Sequence, residues 1–354
     1  MVLTNPARSE QHPSSWQHLT SGKNTQKLIT SALTSDKQKH SLTHELYHET
    51  EVVEQHIREG RFQRTLSLIT AFSCLLGGLE VSYEHYRGSY GQRIMYTPVI
   101  LSLTTMFASI CAIFSRRAAR VLLPLSSLLL LLDGIIGFFF HIRGIQRKPG
   151  GWRIPIFNLI MGPPLFAPLL LGICGFLGLI ASFLRREDDP VSELPLPNQQ
   201  TPHWLNWLPT SIRKEERKLA QDVRQGRFQK MLAAAAAISG FFSGIESLYS
   251  HYKNNFTYGV QWTPVLLTPM LMLAGFGAVW NRAIARTLLP LTSLLALIDG
   301  GLGFLYHLRG LIRRPGGLKK PWYNLLYGPP IFAPLLFAAS GFLGLLAFFL
   351  RREH

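Results

Sequence analysis

Residues 57–187 and 223–353 are one sequence written twice. Shifted by 223 − 57 = 166 positions, the first stretch lies on the second without a gap, and 64 of the 131 aligned residues are identical. A repeat this long is a whole folding unit, far beyond the roughly 20–50-residue period of solenoids and propellers. Whatever the chain folds into must therefore build one unit twice. The longest shared runs are DGIIGFFFHIRG from Asp133 against DGGLGFLYHLRG from Asp299, and GPPLFAPLL from Gly162 against GPPIFAPLL from Gly328. The duplication also separates polar residues kept in both copies from those that drifted.

Each copy carries four apolar stretches, at about 65–83, 97–115, 121–140 and 157–184, and again at about 231–249, 263–281, 287–306 and 323–350. Spanning the hydrocarbon core takes roughly 20 mainly apolar residues. The pattern predicts an all-α polytopic membrane protein with eight transmembrane helices, arranged as two tandem four-helix bundles. An even number of spans per copy gives both the same orientation, so they relate as parallel repeats about an axis along the membrane normal. Composition agrees, with 47% hydrophobic and 16% charged residues, against about a quarter charged in soluble proteins.

A net charge of +16 would point to nucleic acid in a soluble chain. Here the basic residues flank the spans, so the charge reads as topogenic, with the bilayer and its anionic lipids as partners and no nucleic acid. Arg58, Arg61, Arg64, Arg116, Arg117, Arg120, Arg185 and Arg186 fall on one side, joined by Arg227, Lys230, Arg282, Arg286, Arg351 and Arg352. That excess places both termini in the cytoplasm and the chain in the cytoplasmic (inner) membrane. The first 56 residues are polar and show no cleavable leader.

The domain organisation can be laid out along the chain. Residues 1–40 are expected to form a disordered polar tail, 41–64 an amphipathic interfacial helix, 65–187 the first membrane repeat, 188–222 a Pro-rich linker with a second interfacial helix, and 223–354 the second repeat. Trp204 and Trp207 in the linker are expected at headgroup level. His44-Glu45-Leu46-Tyr47-His48 matches the H-E-x-x-H zinc-protease signature. The second copy lacks it and no soluble catalytic domain surrounds it, so it reads as a solvated helix face and no catalytic residue is assigned. Cys74, Cys111 and Cys174 face Gly240, Gly277 and Ser340 in the other copy and read as small packing residues rather than disulfide partners or thiolate ligands.

Carboxylates and histidines inside apolar spans are costly and mark function or internal pairing. The duplicated set contains Glu80, Tyr83 and His85 against Glu246, Tyr249 and His251, then Asp133 and His141 against Asp299 and His307, and finally Asn158 against Asn324. Spans one and three run in the same direction, which brings His85 and His141 to one boundary. At about 1.5 Å per residue, Glu80 lies about 7 Å deeper than His85, and Asp133 about 12 Å deeper than His141. This predicts a polar column in each bundle.

Three readings compete for the column. In the leading one, His85 and His141 are axial ligands of a b-type haem and His251 and His307 hold a second. Gly78, Gly134 and Gly137 would clear room for the macrocycle, and a redox or membrane-complex partner would be implied. In the next, Glu80, Asp133, Glu246 and Asp299 form the proton or ion relay, or the substrate path, of a transporter. In the third the residues are structural, Asp133 being a protonated acid bonded to Asn158 or a backbone carbonyl, and the chain is an assembly subunit. A bare transition metal fits poorly, since compact sites favour the Glu-x-x-His spacing.

Overall fold

The computed structural model describes residues 48–189 and 210–353. The chain divides into two units, Met1–Val53 and Glu54–His354. Of the first only residues 48–53 are described, and they are helical. The expected tail over 1–40, the HELYH motif up to Tyr47, and the linker tryptophans Trp204 and Trp207 lie outside the described residues.

In the second unit, Glu54–His354, every named element is helical. The principal helices of the first copy are α1 (Gln63–Arg87), α2 (Thr97–Phe114), α3 (Arg116–Arg120), α4 (Leu122–Gln146), α5 (Pro155–Ile160) and α6 (Ala167–Phe183). After α7 (Thr210–Arg224), the second copy has α8 (Gln229–Lys253), α9 (Thr263–Trp280), α10 (Arg282–Arg286), α11 (Leu288–Arg313), α12 (Pro321–Tyr327) and α13 (Ala333–Phe349). The start of each helix from α8 to α13 lies 166 positions after its counterpart's start, as in Gln229 after Gln63.

Six helical segments among the described residues are long and apolar enough to cross a membrane: Gln63–Arg87, Arg93–Phe114, Arg116–Gln146, Gln229–Lys253, Gly259–Trp280 and Leu288–Arg313. The fourth apolar stretch of each copy, expected as one span, is broken instead. A short helix (α5, α12) is followed by irregular backbone at Gly162-Pro163-Pro164 and Gly328-Pro329-Pro330, then by the 17-residue helices α6 and α13. The prolines explain the break. Pro163, Pro164 and Pro168 offer no N–H, and their rings clash with a preceding helical turn. Helix α6 accordingly starts at Ala167 with Pro168 in its first turn, where the missing N–H costs nothing.

Besides a buried apolar core, small polar side chains face inward and many large apolar ones face outward. Ser67, Thr70, Ser102, Thr105, Ser109 and Ser127 are each 0% exposed, whereas Phe72, Phe107, Leu125 and Leu273 are 58%, 60%, 57% and 67% exposed. Large apolar side chains outward and small residues inward is what lipid-facing helices require, because apolar burial drives nothing in hydrocarbon while close backbone approach does. In each copy, successive long helices pack on one another and the last packs back on the first: α1 on α2, α2 on α4, α4 on α6 and α6 on α1, with the same order among α8, α9, α11 and α13. Where α4 meets α6, a methyl on Gly134 would stand 2.6 Å from the Pro168 carbonyl oxygen and 2.8 Å from Gly172 Cα.

The arginine-rich end is tied together by a motif whose sequence suggests only flanking charge. Leu184-Arg185-Arg186-Glu187 recurs as Leu350-Arg351-Arg352-Glu353. Glu187 accepts the Arg64 and Thr65 N–H groups at 3.1 and 2.9 Å, and Glu353 accepts those of Lys230 and Met231 at 2.8 and 3.1 Å. Each carboxylate thus caps the first helix of its own copy, where anions are favoured. Arg186 donates to the Ile113 carbonyl, and Arg352 to those of Ala278 and Val279, which serves the C-terminal ends of α2 and α9. Arg186 is buried. Beside it, burial opposes charge on Asp189, but the Arg116 guanidinium at 2.7 Å and the Arg186 N–H at 2.9 Å outweigh it and hold that carboxyl below its ordinary range.

Candidate functional site: polar groups at two broken helices

A helix that starts inside an apolar layer exposes N–H groups that water cannot reach, each costing several kcal/mol unless bonded internally. At the start of α6 the partners come from the other copy. Glu246 Oε1 accepts the Phe166 N–H at 2.5 Å, with the Ala167 N–H also directed at this carboxylate. The Leu165 N–H donates to Tyr249 Oη at 3.2 Å. The Phe166 ring stacks on Phe242 of α8 at 4.7 Å between centroids. The reciprocal contact closes the other side: Glu80 Oε2 accepts the Phe332 N–H at 3.3 Å. Here Tyr83 donates to Glu80 Oε1 at 2.5 Å instead of accepting a backbone N–H. The two grips share a plan, and the one made by Glu246 is the tighter.

The irregular segments are also held through their carbonyls. His141 Nδ1–H donates to the Pro164 carbonyl and His307 Nδ1–H to that of Pro330, both at 2.5 Å. His85 Nδ1–H donates to the Met95 carbonyl at 2.7 Å. A carbonyl can only accept, so in each of these bonds the proton sits on Nδ1. The His251 and His307 rings lie 6.4 Å apart, edge to face.

Asp133 and Asp299 make a separate, repeated contact. Thr97 Oγ1 stands 2.6 Å from Asp133 Oδ1 and 2.9 Å from the Ile94 carbonyl oxygen. Thr263 Oγ1 stands 2.5 Å from Asp299 Oδ1 and 2.8 Å from the Val260 carbonyl oxygen. In both copies the single threonine hydroxyl is directed at the carboxyl oxygen and at a carbonyl of the preceding turn.

The expected single column is therefore divided. Asp133 sits with Thr97, and His141 anchors its own copy's broken segment. Glu80 and Glu246 leave their own copies to grip the opposite one. Asn158, expected near Asp133, instead donates to the Pro149 and Gly151 carbonyls at 3.0 and 2.8 Å, buttressing the turn before α5. Asn324 repeats this on Pro315 and Gly317 at 3.4 and 2.9 Å. Thr97 and Thr263 are not singled out by sequence reasoning despite being identical in the two copies, because nothing in the spacing ties a span-two hydroxyl to a span-three carboxyl. Among the described residues, no group of three or more His, Cys, Asp or Glu side chains is arranged to hold a metal ion.

For a haem, the imidazole pairs offer the right donor chemistry, since ligating histidines commonly give their other N–H to a carbonyl. The glycines do not supply the room. A methyl at Gly78 would meet Ser102 Cβ at 2.9 Å, and at Gly137 Pro168 Cβ at 3.0 Å; the space beside Gly78, Gly134 and Gly137 is filled by neighbouring helices. An apolar cavity of about 150 Å³ lies elsewhere, between α8 and α9, lined by Phe241, Gly244, Leu248, Thr268, Pro269 and Met272. It contains no titratable group. Comparison of the chain with protein-family models, curated proteins and solved structures finds no match.

Proposed function

We propose that the chain is an integral membrane carrier whose two halves are coupled through protonation of Glu80 and Glu246. In this reading each broken fourth stretch counts as one span. The protein then has eight spans in two tandem four-helix bundles of like orientation, lying in the cytoplasmic membrane with the arginine-rich end inward. The observation that carries the proposal is the exchange of carboxylates between the copies at the starts of α6 and α13. Coupling-ion and substrate sites of carriers lie at the interface of repeats and are built from discontinuous helices.

The chemistry follows from the partners. As carboxylate, Glu246 accepts the N–H groups at the start of α6 and is drawn to the positive end of that helix. A proton on Glu246 removes the ionic attraction and adds an O–H that needs an acceptor of its own. The grip on α6 weakens, and the irregular segment, with its proline carbonyls, is free to change partners. Glu80 does the same to α13. Each carboxylate belongs to one bundle and holds the other, so proton uptake changes the contact between bundles.

The test is reconstitution into liposomes that contain a pH-sensitive dye, with amino acids, sugars, organic anions, organic cations and metal ions added outside in turn. At least one class should move protons, and Glu246→Gln and Glu80→Gln should abolish the movement while the helical ellipticity is kept. Proton movement with no class, or undiminished movement in both variants, would refute the proposal.

The paired histidines support a second reading, a b-type haem in each copy held by His85 with His141 and by His251 with His307. Its specific support is the 6.4 Å approach of His251 and His307 with Nδ1 of His307 already committed. An absorbance spectrum of protein expressed with haem supplied, oxidised and then reduced with dithionite, decides it. A Soret band reduced by about half in His251→Ala and lost in His85→Ala/His251→Ala supports the haems, and a flat spectrum removes them.

A further inference from the structure

The two GRFQ segments meet at the arginine-rich end. Gly60 and Gly226 adopt φ of 67° and 68°, a region that side chains other than glycine's rarely enter. A methyl on Gly60 would stand 2.7 Å from the Gly226 nitrogen and the Arg224 carbonyl oxygen, and one on Gly226 would stand 2.5 Å from the Arg58 carbonyl oxygen. Just below, Phe62 and Phe228 stack at 6.4 Å with nearly parallel rings. Backbone bonds then draw in the two LRRE motifs: Arg185 N–H donates to Gly60 O at 2.9 Å, and Arg351 N–H to Gly226 O at 2.8 Å.

The consequence is electrostatic. Arg61, Arg185, Arg224, Arg227 and Arg351 crowd around one junction, and the nearest cationic neighbours of Arg224 include Arg120 and Arg185. The acids that face the cluster are already engaged: Glu59 pairs with Arg61 at 2.9 Å, and Asp189 pairs with Arg116 at 2.7 Å. Among the described residues, Arg120, Arg224, Arg227 and Arg351 have no ion-pair partner. Arg120 and Arg351 are exposed, while Arg224 and Arg227 are half-buried. Like charges gathered at one junction repel unless an anion stands between them. Burial and its arginine neighbours also hold the Arg224 guanidinium below its ordinary range.

We propose that this junction binds the phosphate of an anionic phospholipid headgroup, with Arg120, Arg224, Arg227 and Arg351 as its cationic ligands. The inference rests on the membrane reading but not on transport. A headgroup is favoured because the cations lie directly over a buried aromatic pair at the ends of the apolar helices, the level at which basic pockets between spans take lipid headgroups.

The experiment uses the full chain in detergent micelles. Thermal unfolding is followed while phosphatidylglycerol, phosphatidylcholine or inorganic phosphate is added. Phosphatidylglycerol should raise the midpoint, and the other two should not. In Arg120→Gln/Arg224→Gln the apparent affinity for phosphatidylglycerol should fall about 30-fold, or about 5-fold per arginine. Arg309→Gln, at the opposite end, should behave as wild type. If the double variant does not fold, the exposed single changes Arg120→Gln and Arg351→Gln carry the test. Equal affinity in all variants would overturn the site, and an equal shift with inorganic phosphate would overturn its assignment to lipid. Because binding is read without solute flux, its failure is distinct from failure of the carrier reading.

Discussion

Replacing Glu246 measures the grip between the copies. In Glu246→Ala, the Phe166 and Ala167 N–H groups lose their acceptor. Each buried N–H left unpaired costs about 1–3 kcal/mol, and removal of a carboxylate from a helix N-terminus adds up to about 2 kcal/mol. The expected loss is thus about 2–8 kcal/mol, with water entry drawing it toward the lower end. Glu246→Gln keeps a carbonyl oxygen for the same N–H groups and forfeits only the ionic part, so it should lose about 0.5–2 kcal/mol. Glu80→Ala leaves the Phe332 N–H, bonded at the longer 3.3 Å, and the Tyr83 hydroxyl without an acceptor, so it too should lose about 2–6 kcal/mol. The assay is reversible unfolding in mixed micelles with increasing dodecyl sulfate, followed by helical ellipticity. Equal losses for Ala and Gln at 246 would refute the reasoning.

Local geometry gives three further expected outcomes. Gly300→Ala puts a methyl 2.5 Å from Ala338 N and 2.6 Å from Pro334 O, while Gly301 has nothing within 4 Å. The same unfolding assay should show Gly300→Ala losing about 1–3 kcal/mol and the adjacent Gly301→Ala neutral or stabilising by up to about 1 kcal/mol; equal effects would contradict the packing. Asp133→Asn keeps a hydrogen-bonding oxygen for Thr97 and should lose less than about 1 kcal/mol, against about 1–3 kcal/mol for Asp133→Ala, and a loss for Asn as large as that for Ala would contradict the contact. The Asp189 carboxyl lies below its ordinary value, so it stabilises the fold above about pH 4, the unfolded value, and that contribution fades as pH falls through the folded one. Wild type should therefore exceed Asp189→Asn in unfolding midpoint at pH 7, with the gap closing in acid; a gap that widens in acid would invert the assignment.

Much of the fold is legible in the sequence because apolar length and proline chemistry act locally. Helices α1, α2, α4, α8, α9 and α11 start within two residues of the apolar stretches that predict them. Pro163, Pro164 and Pro168 break the fourth stretch for reasons internal to the chain. The destination of a side chain is a different matter. Spacing gives the depth of Glu80 and the face it occupies, yet comparing two copies cannot say whether a shared residue meets its own copy or the other one. Glycine is ambiguous in the same way, since Gly134 reads equally as room for a ligand or as a seat for Gly172 until the neighbour is placed. Glu187 and Glu353 are hidden by default expectation, because charge at the end of a span ordinarily faces water, and here it caps a helix.

The most direct test of the carrier proposal is a distance across the grip. Nitroxide labels would be placed at Met161, beside the irregular segment, and at Ser250, near the end of α8, in a background with Cys74, Cys111 and Cys174 replaced, and read by pulsed dipolar spectroscopy in lipid nanodiscs at pH 8 and pH 5. Two distance populations are expected, with weights that shift toward the longer on acidification and with Glu246→Gln fixed in the longer population at both values. A single distribution unchanged by pH in the wild type, or a Glu246→Gln variant that still responds like it, would contradict the claim that protonation of Glu246 releases the opposite copy.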